Sequence, residues 1–171
     1  MKPQQRLWWI QTQSDFDTFR QLKRLGVHPC HLLHYLQMAS EKLSKAYLWR
    51  SGIAPPMRHT GLVRFLNALL LRKPKELERI AIALDFPKPK AVAQLRNWVR
   101  GILPLAYSLQ NIAPAEAGNG PNPEYPWPPE QPILCPAEHT FPFWDELENT
   151  GKGRGFLKFL DRAIRNFGAL C

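Results

Sequence analysis

The chain of 171 residues has 23 lysines and arginines against 14 aspartates and glutamates, a formal net charge of +9, and 44% of its residues are hydrophobic. A chain of this length buries one substantial core, and its balance of apolar and charged residues is typical of a globular protein rather than a disordered one, so we expect a single domain at residues 1–171. We also expect a cytoplasmic protein without a membrane partner, because Arg72 and Lys73 interrupt the leucines before them and residues 1–15 lack the apolar core of a signal peptide.

Two helices are predicted in the first fifty residues. Ser14 and Asp17 form an approximate capping box, which predicts a first helix from Ser14 to near Gly26. Pro29 suits the first turn of the second helix, because its missing N–H falls among donors that have no partner inside a helix. Side chains at alternating spacings of four and three form a stripe along one face of this helix: Leu32, Leu36, Ala39, Leu43, Ala46 and Arg50. Its other side carries Gln37, Ser40, Glu41 and Ser44.

Three further helices are predicted before residue 112. The third follows His59, and the fourth starts at Pro74. The fifth is the longest, because apolar residues keep a helical spacing from Val92 to Leu109, and Pro104 is expected to kink it. These helices and the first two make a predicted core at residues 14–112.

Residues 113–148 differ in composition from the rest of the chain. Nine prolines fall between Pro114 and Pro142, which excludes a long helix, while the aromatic side chains make the segment too apolar for a free linker. We therefore expect an extended strap packed on the bundle, with short strands near residues 133–135 or 140–141.

The last element is a basic helix within residues 152–168, predicted from about Gly153 to Phe167. The predicted fold is thus all-α, a bundle of about five to six helices with a proline-rich extended strap before the last helix. Charge divides along the same boundaries, because residues 113–148 hold seven acids and no lysine or arginine, whereas the remainder holds 23 bases and seven acids. This pattern predicts a basic helical body beside an acidic strap.

The second helix carries a distinctive run, A-x-E-K-x-x-K-A, from Ala39 to Ala46. Gly52, a proline-bearing loop, and His59 ahead of a leucine-rich helix follow it. This combination resembles the HEPN family of small all-α domains, and the wording GPNPEYPW at residues 120–127 is similar to the tail of some bacterial members.

The resemblance implies one of two functions. Many HEPN proteins are metal-independent ribonucleases, often toxins or defence effectors, with an arginine followed four to six residues later by a histidine near the start of a late helix. Others have lost that motif and bind RNA or a protein partner. Members usually pair through their long helices, which implies a homodimer.

The ribonuclease motif is missing from the late helix of this chain. Six residues separate Arg100 from Tyr107, and no histidine lies between His59 and His139. An arginine and a histidine with six residues between them occur at Arg24 and His31, and Arg58–His59 is a further pair. The catalytic candidates are therefore Arg24, His31, Arg58 and His59, which would have to meet through the fold or across a dimer. The alternative is that these residues are not catalytic. Arg24 would then be a surface arginine beside a histidine at the start of a helix, and His59 would pack and form hydrogen bonds.

The close spacing of His28, Cys30, His31 and His34 suggests a metal site. Cys135 and His139 could complete it as a zinc site. The spacing argues against a closed site, so we favour a capping or hydrogen-bonded role for these histidines and predict no metal or cofactor. The three cysteines are odd in number and widely spaced, which is not a disulfide framework.

Basic residues with aromatic residues among them are the remaining signal, and they indicate either contact with RNA phosphates or solvated helix faces, which have a similar pattern. The candidates are Arg64, Arg72, Lys73, Lys88, Lys90, Arg96, Arg100, Lys158, Arg162 and Arg165. Our first hypothesis is an HEPN-like protein without the ribonuclease motif, RNA-associated or partner-binding, in a bacterial defence or toxin–antitoxin system. The alternatives are an active metal-independent ribonuclease and a non-catalytic structural or interaction module.

Overall fold

A computed structural model describes residues 1–52, 55, 59–128 and 133–171, and within these ranges the protein is an all-α bundle, as predicted. Its helices are α1 Pro3–Leu25, α2 Pro29–Leu48, α3 Gly61–Leu70, α4 Pro74–Ala83, α5 Ala91–Asn111, α6 Pro114–Ala117, α7 Pro142–Asn149, α8 Gly151–Arg165 and α9 Phe167–Leu170. Short 3-10 turns occur at Trp49–Ser51 and Pro136–Glu138. No helix of the described ranges combines the length and the apolar character that a membrane span requires.

Helix α1 starts eleven residues before the predicted position, so the prediction of a start at Ser14 is wrong. The cap lies at Lys2, whose backbone N–H donates to Oε1 of Gln5 at 2.9 Å, and Pro3 occupies the first helical position. Ser14 is inside the helix, where its carbonyl accepts a hydrogen bond from the Thr18 hydroxyl at 3.0 Å. The predicted end is confirmed, because Gly26 adopts a left-handed φ of 66° there.

Helix α2 is the centre of the bundle and packs against α1, α3 and α5. Both of its sides are buried. The predicted stripe lies in the core from Leu32 to Ala46, whereas Arg50 lies beyond the helix end and is half-buried. The polar side chains opposite the stripe are buried as well: Gln37, Ser40, Glu41 and Ser44 are at most 6% exposed. A polar face in this position needs internal partners, because buried polar groups are costly without hydrogen bonds.

Helix α5 connects the second half of the molecule, contacting α3, α4 and α8. Aromatic rings fill the junction: Trp98 lies edge-on to Phe159 at 5.3 Å and to Phe86 at 5.2 Å. Gly155 of α8 lies so close to Trp98 that a Cβ on it would be 3.1 Å from the indole Nε1. The glycine therefore allows α8 to approach α5.

The strap is shorter than predicted, because α6 and α7 occupy the two ends of residues 113–148. Trp127 and Phe141, both 4% exposed, anchor the extended part between them. Among its described residues a single isolated antiparallel bridge joins Trp127 to Leu134, in place of the short strands that we expected. The predicted extended strap before the last helix is thus confirmed for the described residues between α6 and α7.

Candidate functional site

A buried carboxylate of α2 holds the histidine that stands just before α3. Oε2 of Glu41 lies 2.5 Å from Nδ1 of His59, and the amide nitrogen of Gln37 lies 3.3 Å from the same carboxylate oxygen. The Glu41 side chain is 7% exposed and that of His59 is 30% exposed. Because a carboxylate only accepts hydrogen bonds, Nδ1 of His59 is the donor in this contact.

The local sequence explains why these groups meet. Gln37, Glu41 and Lys45 are spaced four apart, so they share one face of α2. Lys45 pairs with Glu41, is 6% exposed, and lies over the Trp8 ring of α1 at 5.2 Å. The resulting chain of contacts runs from a tryptophan through a lysine and a glutamate to a histidine.

Helix α3 is able to approach this network because its first residue is glycine. A Cβ on Gly61 would lie 3.0 Å from Cβ of Ser44. His59 precedes that contact by two residues and is therefore fixed in position beside Glu41.

The three catalytic candidates that the structure describes are not joined in one cluster. Arg24 is exposed at the end of α1, where its Nε donates to the Arg20 carbonyl at 3.4 Å, and His31 is exposed in the first turn of α2. No hydrogen bond or ion pair links Arg24, His31 and His59 within the described ranges. His31 and Glu41 are ten positions apart on α2, about 15 Å along the axis. Arg58 lies outside the described residues.

Sequence reasoning did not identify Glu41 as the partner of His59. Its available signal was the four-residue spacing of Gln37, Glu41 and Lys45 on a helix with an apolar opposite face. In the sequence, Glu41 was noted only as part of the run that resembles the HEPN family, and no role in a site was predicted for it.

Four members of the predicted histidine and cysteine cluster contact other groups: His28, Cys30, His34 and His139. His28 caps α2, because its Nδ1 accepts from the Cys30 backbone N–H at 3.4 Å, which confirms the capping role. Burial raises the pKa of the Cys30 thiol. Nδ1 of His34 lies 3.2 Å from Oε1 of Glu124, and His139 lies edge-on to aromatic rings of the strap. No group of three or more histidine, cysteine or acidic side chains suited to a metal ion occurs in the described part of the chain.

The candidate RNA-binding cations fall into two sets. The first set makes no ion pair with any described carboxylate, and all its members are exposed except the half-buried Arg96: Arg64, Lys73, Lys90, Arg96, Arg100 and Lys158. We call this set the unpaired basic set. Its members lie on α3, α5 and α8 and on the residues just before α4 and α5. Helices α3, α4 and α8 each contact α5.

The second set is already occupied by contacts within the molecule. Arg162 donates to the Leu84 carbonyl at 2.9 Å and pairs with Asp85 at 3.1 Å. Arg72 pairs with Glu76 at 3.3 Å, and Lys88 lies 4.0 Å from Glu78. Arg165 pairs with Asp161. These four cations have carboxylate partners within the molecule and therefore offer less charge to a ligand.

An exposed aromatic residue accompanies the unpaired basic set. Tyr107 of α5 is 50% exposed, whereas Trp98 of the same helix is half-buried and packs against Phe86 and Phe159. Arg100 and Tyr107 are seven residues apart, which places them on one helix face about 10 Å from each other. The structure therefore combines a cation and an aromatic ring on one solvent-facing side of α5.

Comparisons with family models, curated proteins and solved structures find no match to this chain.

Proposed function

We propose that this protein is an HEPN-like helical module that associates with RNA. The observation that carries the proposal is the unpaired basic set, gathered on helices that contact α5. Cations without carboxylate partners can neutralise phosphates and release their counterions, which supplies most of the affinity of non-specific RNA binding. The exposed ring of Tyr107 adds a surface on which an unstacked base can lie.

The acidic strap supports a defined orientation for the RNA. Two of its acids contact the α1–α2 hairpin: Glu124 lies beside His34 and Glu148 pairs with Lys23 at 3.1 Å. Negative charge on that side repels phosphates, so RNA is directed to the basic helices. The wider proposal is a cytoplasmic homodimer that acts, with RNA or a protein partner, in a bacterial defence or toxin–antitoxin system.

A binding experiment tests the proposal with charge-matched variants. Fluorescence anisotropy with a labelled 20-nucleotide single-stranded RNA compares the wild type with Arg96→Gln/Arg100→Gln and with Arg6→Gln/Arg24→Gln. Both double variants lower the net charge by two. We expect the α5 variant to weaken binding at least tenfold and the α1 variant to change it less than threefold. Equal losses in both would contradict a localised RNA surface.

The second candidate function is a metal-independent ribonuclease, and the Glu41–His59 contact is the observation that favours it. A histidine with Nδ1 held by a carboxylate presents Nε2 for proton transfer, as general acid–base catalysis requires. RNA cleavage that survives EDTA and disappears in His59→Ala, but not in His31→Ala, would establish it. Binding without cleavage in all three proteins favours the RNA-associated module.

A further inference from the structure

A proline lies inside α5, on the side of the helix that faces solvent. Helix α5 is one continuous element from Ala91 to Asn111, and Pro104 is exposed within it. Because proline has no N–H, it cannot donate to the carbonyl oxygen four residues earlier, which is that of Arg100. The Arg100 carbonyl therefore lacks its regular partner in the helix, although a backbone carbonyl is a strong acceptor.

This carbonyl belongs to the exposed face of α5. Successive helical residues are about 100° apart, so five exposed residues fall within an arc of about 80°: Asn97, Arg100, Pro104, Tyr107 and Asn111. A helix carbonyl points along the axis toward the residue four positions later, which places the Arg100 oxygen between Arg100 and Pro104 on the same face. A Cβ on Gly101 would meet no atom within 4 Å, so the space beside the oxygen is open. The acceptor is thus accessible to a ligand.

The surroundings of this acceptor suit a nucleotide chain. Helix α5 contains no aspartate or glutamate, and the exposed Arg100 makes no ion pair with any described carboxylate. Long helical side chains lean toward the N-terminus of their helix, so the Tyr107 ring is expected over the turn that contains Pro104. Arg100 offers charge to a phosphate and Tyr107 offers a ring to a base. The sugar that joins the phosphate to the base then lies beside the Arg100 carbonyl.

We propose that the Arg100 carbonyl, left without its helical partner by Pro104, accepts a hydrogen bond from the 2′-hydroxyl of a bound ribose and makes this surface selective for RNA. The 2′-hydroxyl is the one donor on the sugar–phosphate chain of RNA, and a carbonyl only accepts, so the two groups match. DNA lacks this hydroxyl. The unpaired basic set attracts both nucleic acids, because phosphate charge does not distinguish them. The inference rests on the RNA association proposed above and adds the group that recognises ribose.

Replacement of the 2′-hydroxyl tests the proposal. Fluorescence anisotropy at one salt concentration measures the Kd of a labelled 20-nucleotide single-stranded RNA and of the same sequence with 2′-fluoro groups. These groups keep the ribose conformation but cannot donate a hydrogen bond. We expect the wild type to bind the RNA about fivefold more tightly, which is the effect of one hydrogen bond.

Two proline substitutions locate the effect. Pro104→Ala supplies the missing N–H, so the Arg100 carbonyl regains its partner within the helix. We expect this variant to bind the two oligonucleotides equally, at the wild-type affinity for the 2′-fluoro form. The variant should fold, because alanine favours a helix interior far more than proline does. Pro3→Ala is the matched control, since Pro3 occupies the first position of α1, where an N–H has no carbonyl partner inside the helix, and it should keep the fivefold preference.

The outcomes separate this inference from the RNA association on which it rests. Equal binding of the two oligonucleotides by the wild type, or a preference that survives in Pro104→Ala, would overturn the proposal and leave RNA association in place. Loss of the preference in Pro3→Ala would also overturn it, because the effect would not then depend on the Arg100 carbonyl. Absence of binding of either oligonucleotide at 50 mM KCl would contradict RNA association itself, and the proposal with it.

Discussion

Oε2 of Glu41 in α2 accepts a hydrogen bond from Nδ1 of His59, 18 residues further along the chain, at 2.5 Å. The contact joins the buried polar face of the central helix to the start of α3. It makes Nδ1 of the histidine the donor, and the Lys45 ammonium is the second partner of the Glu41 carboxylate. The same pair thus serves the fold and is the feature that favours the second candidate function.

Glu41→Gln tests the strength of this buried network. The substitution leaves the ammonium of Lys45, 6% exposed, without a counter-charge, and an uncompensated buried charge costs about 3 kcal/mol or more of unfolding free energy. Urea denaturation measures the loss. Glu148→Gln removes a half-exposed carboxylate from Lys23 and should cost less than about 1 kcal/mol. Equal losses would show that burial does not strengthen the dependence on Glu41.

Gly153→Ala should disrupt the corner between α7 and α8. A Cβ at this position would lie 2.3 Å from the Glu146 carbonyl oxygen and 2.5 Å from Cα of Leu147, so the two helices must separate. We expect a loss of about 3 kcal/mol, at the upper end for overpacking, in thermal or urea unfolding.

Gly151→Ala is the matched control for that corner, because an added Cβ meets no atom within 4 Å. Replacing glycine with alanine in a helix favours folding by up to about 1 kcal/mol. If Gly153→Ala were as stable as Gly151→Ala, the close approach of α7 and α8 would be wrong.

Tyr107→Ala tests the aromatic part of the proposed RNA surface. Loss of one stacked base should weaken single-stranded RNA binding by about 1–3 kcal/mol in free energy. Tyr125→Ala is the control, because Tyr125 is 61% exposed but belongs to the acidic strap. Anisotropy titrations at one salt concentration should show a weaker complex for the α5 variant alone. A weaker complex for the strap variant instead would place the RNA elsewhere.

Arg162 and Arg100 should respond differently to substitution by glutamine. Arg162 loses its bonds to the Leu84 carbonyl and Asp85, for which we expect about 2 kcal/mol of destabilisation. Arg100 is exposed and unpaired with any described carboxylate, so its stability change should stay within about 0.5 kcal/mol. The pair of measurements, unfolding and RNA affinity, separates cations that hold the fold from cations that bind. Equal losses of stability in Arg162→Gln and Arg100→Gln would contradict the distinction between the two sets of cations.

The three cysteines should differ in reactivity. Cys135 is exposed, whereas burial raises the pKa of the Cys30 and Cys171 thiols above the ordinary value of about 8.5. Because each of these pKa values is higher in the folded than in the unfolded state, folding favours the protonated thiol. The stability that this preference contributes is fully present below the unfolded-state pKa and is lost as the pH rises through the folded-state pKa. A thiol reagent at pH 7.5 should therefore label Cys135 first, with the other two labelled faster above pH 9. Fast labelling of Cys30 at pH 7.5 would contradict its burial.

Periodicity predicted the helices of the bundle because each buries one apolar face. Pro29 and Pro74 predicted helix starts correctly for the same local reason, a first-turn position that needs no N–H donor. Helix α1 was predicted too short because a serine and an acid three residues later are common inside helices as well. Helix α7 was not predicted because its eight residues are held by Trp144 and Leu147 in the core, a tertiary effect.

The candidate site was less accessible to sequence reasoning, since it depends on contacts between distant residues. His59 was identified, but its partner Glu41 was hidden on a helix face that reads as polar and is in fact buried. The basic residues were found as a group, and only the structure separates Arg162, held by Asp85, from Arg100. Charge counts record the number of cations but not their partners.

The salt dependence of RNA binding tests the central claim most directly. The dissociation constant for a 20-nucleotide single-stranded RNA is measured from 50 to 300 mM KCl for the wild type and for Arg96→Gln/Arg100→Gln. The account predicts that the wild-type affinity falls steeply with salt and that the variant lowers the slope of log K against log salt by about 1.4, or about 0.7 for each lost phosphate contact. Absence of binding at 50 mM, or identical slopes for the two proteins, would contradict it.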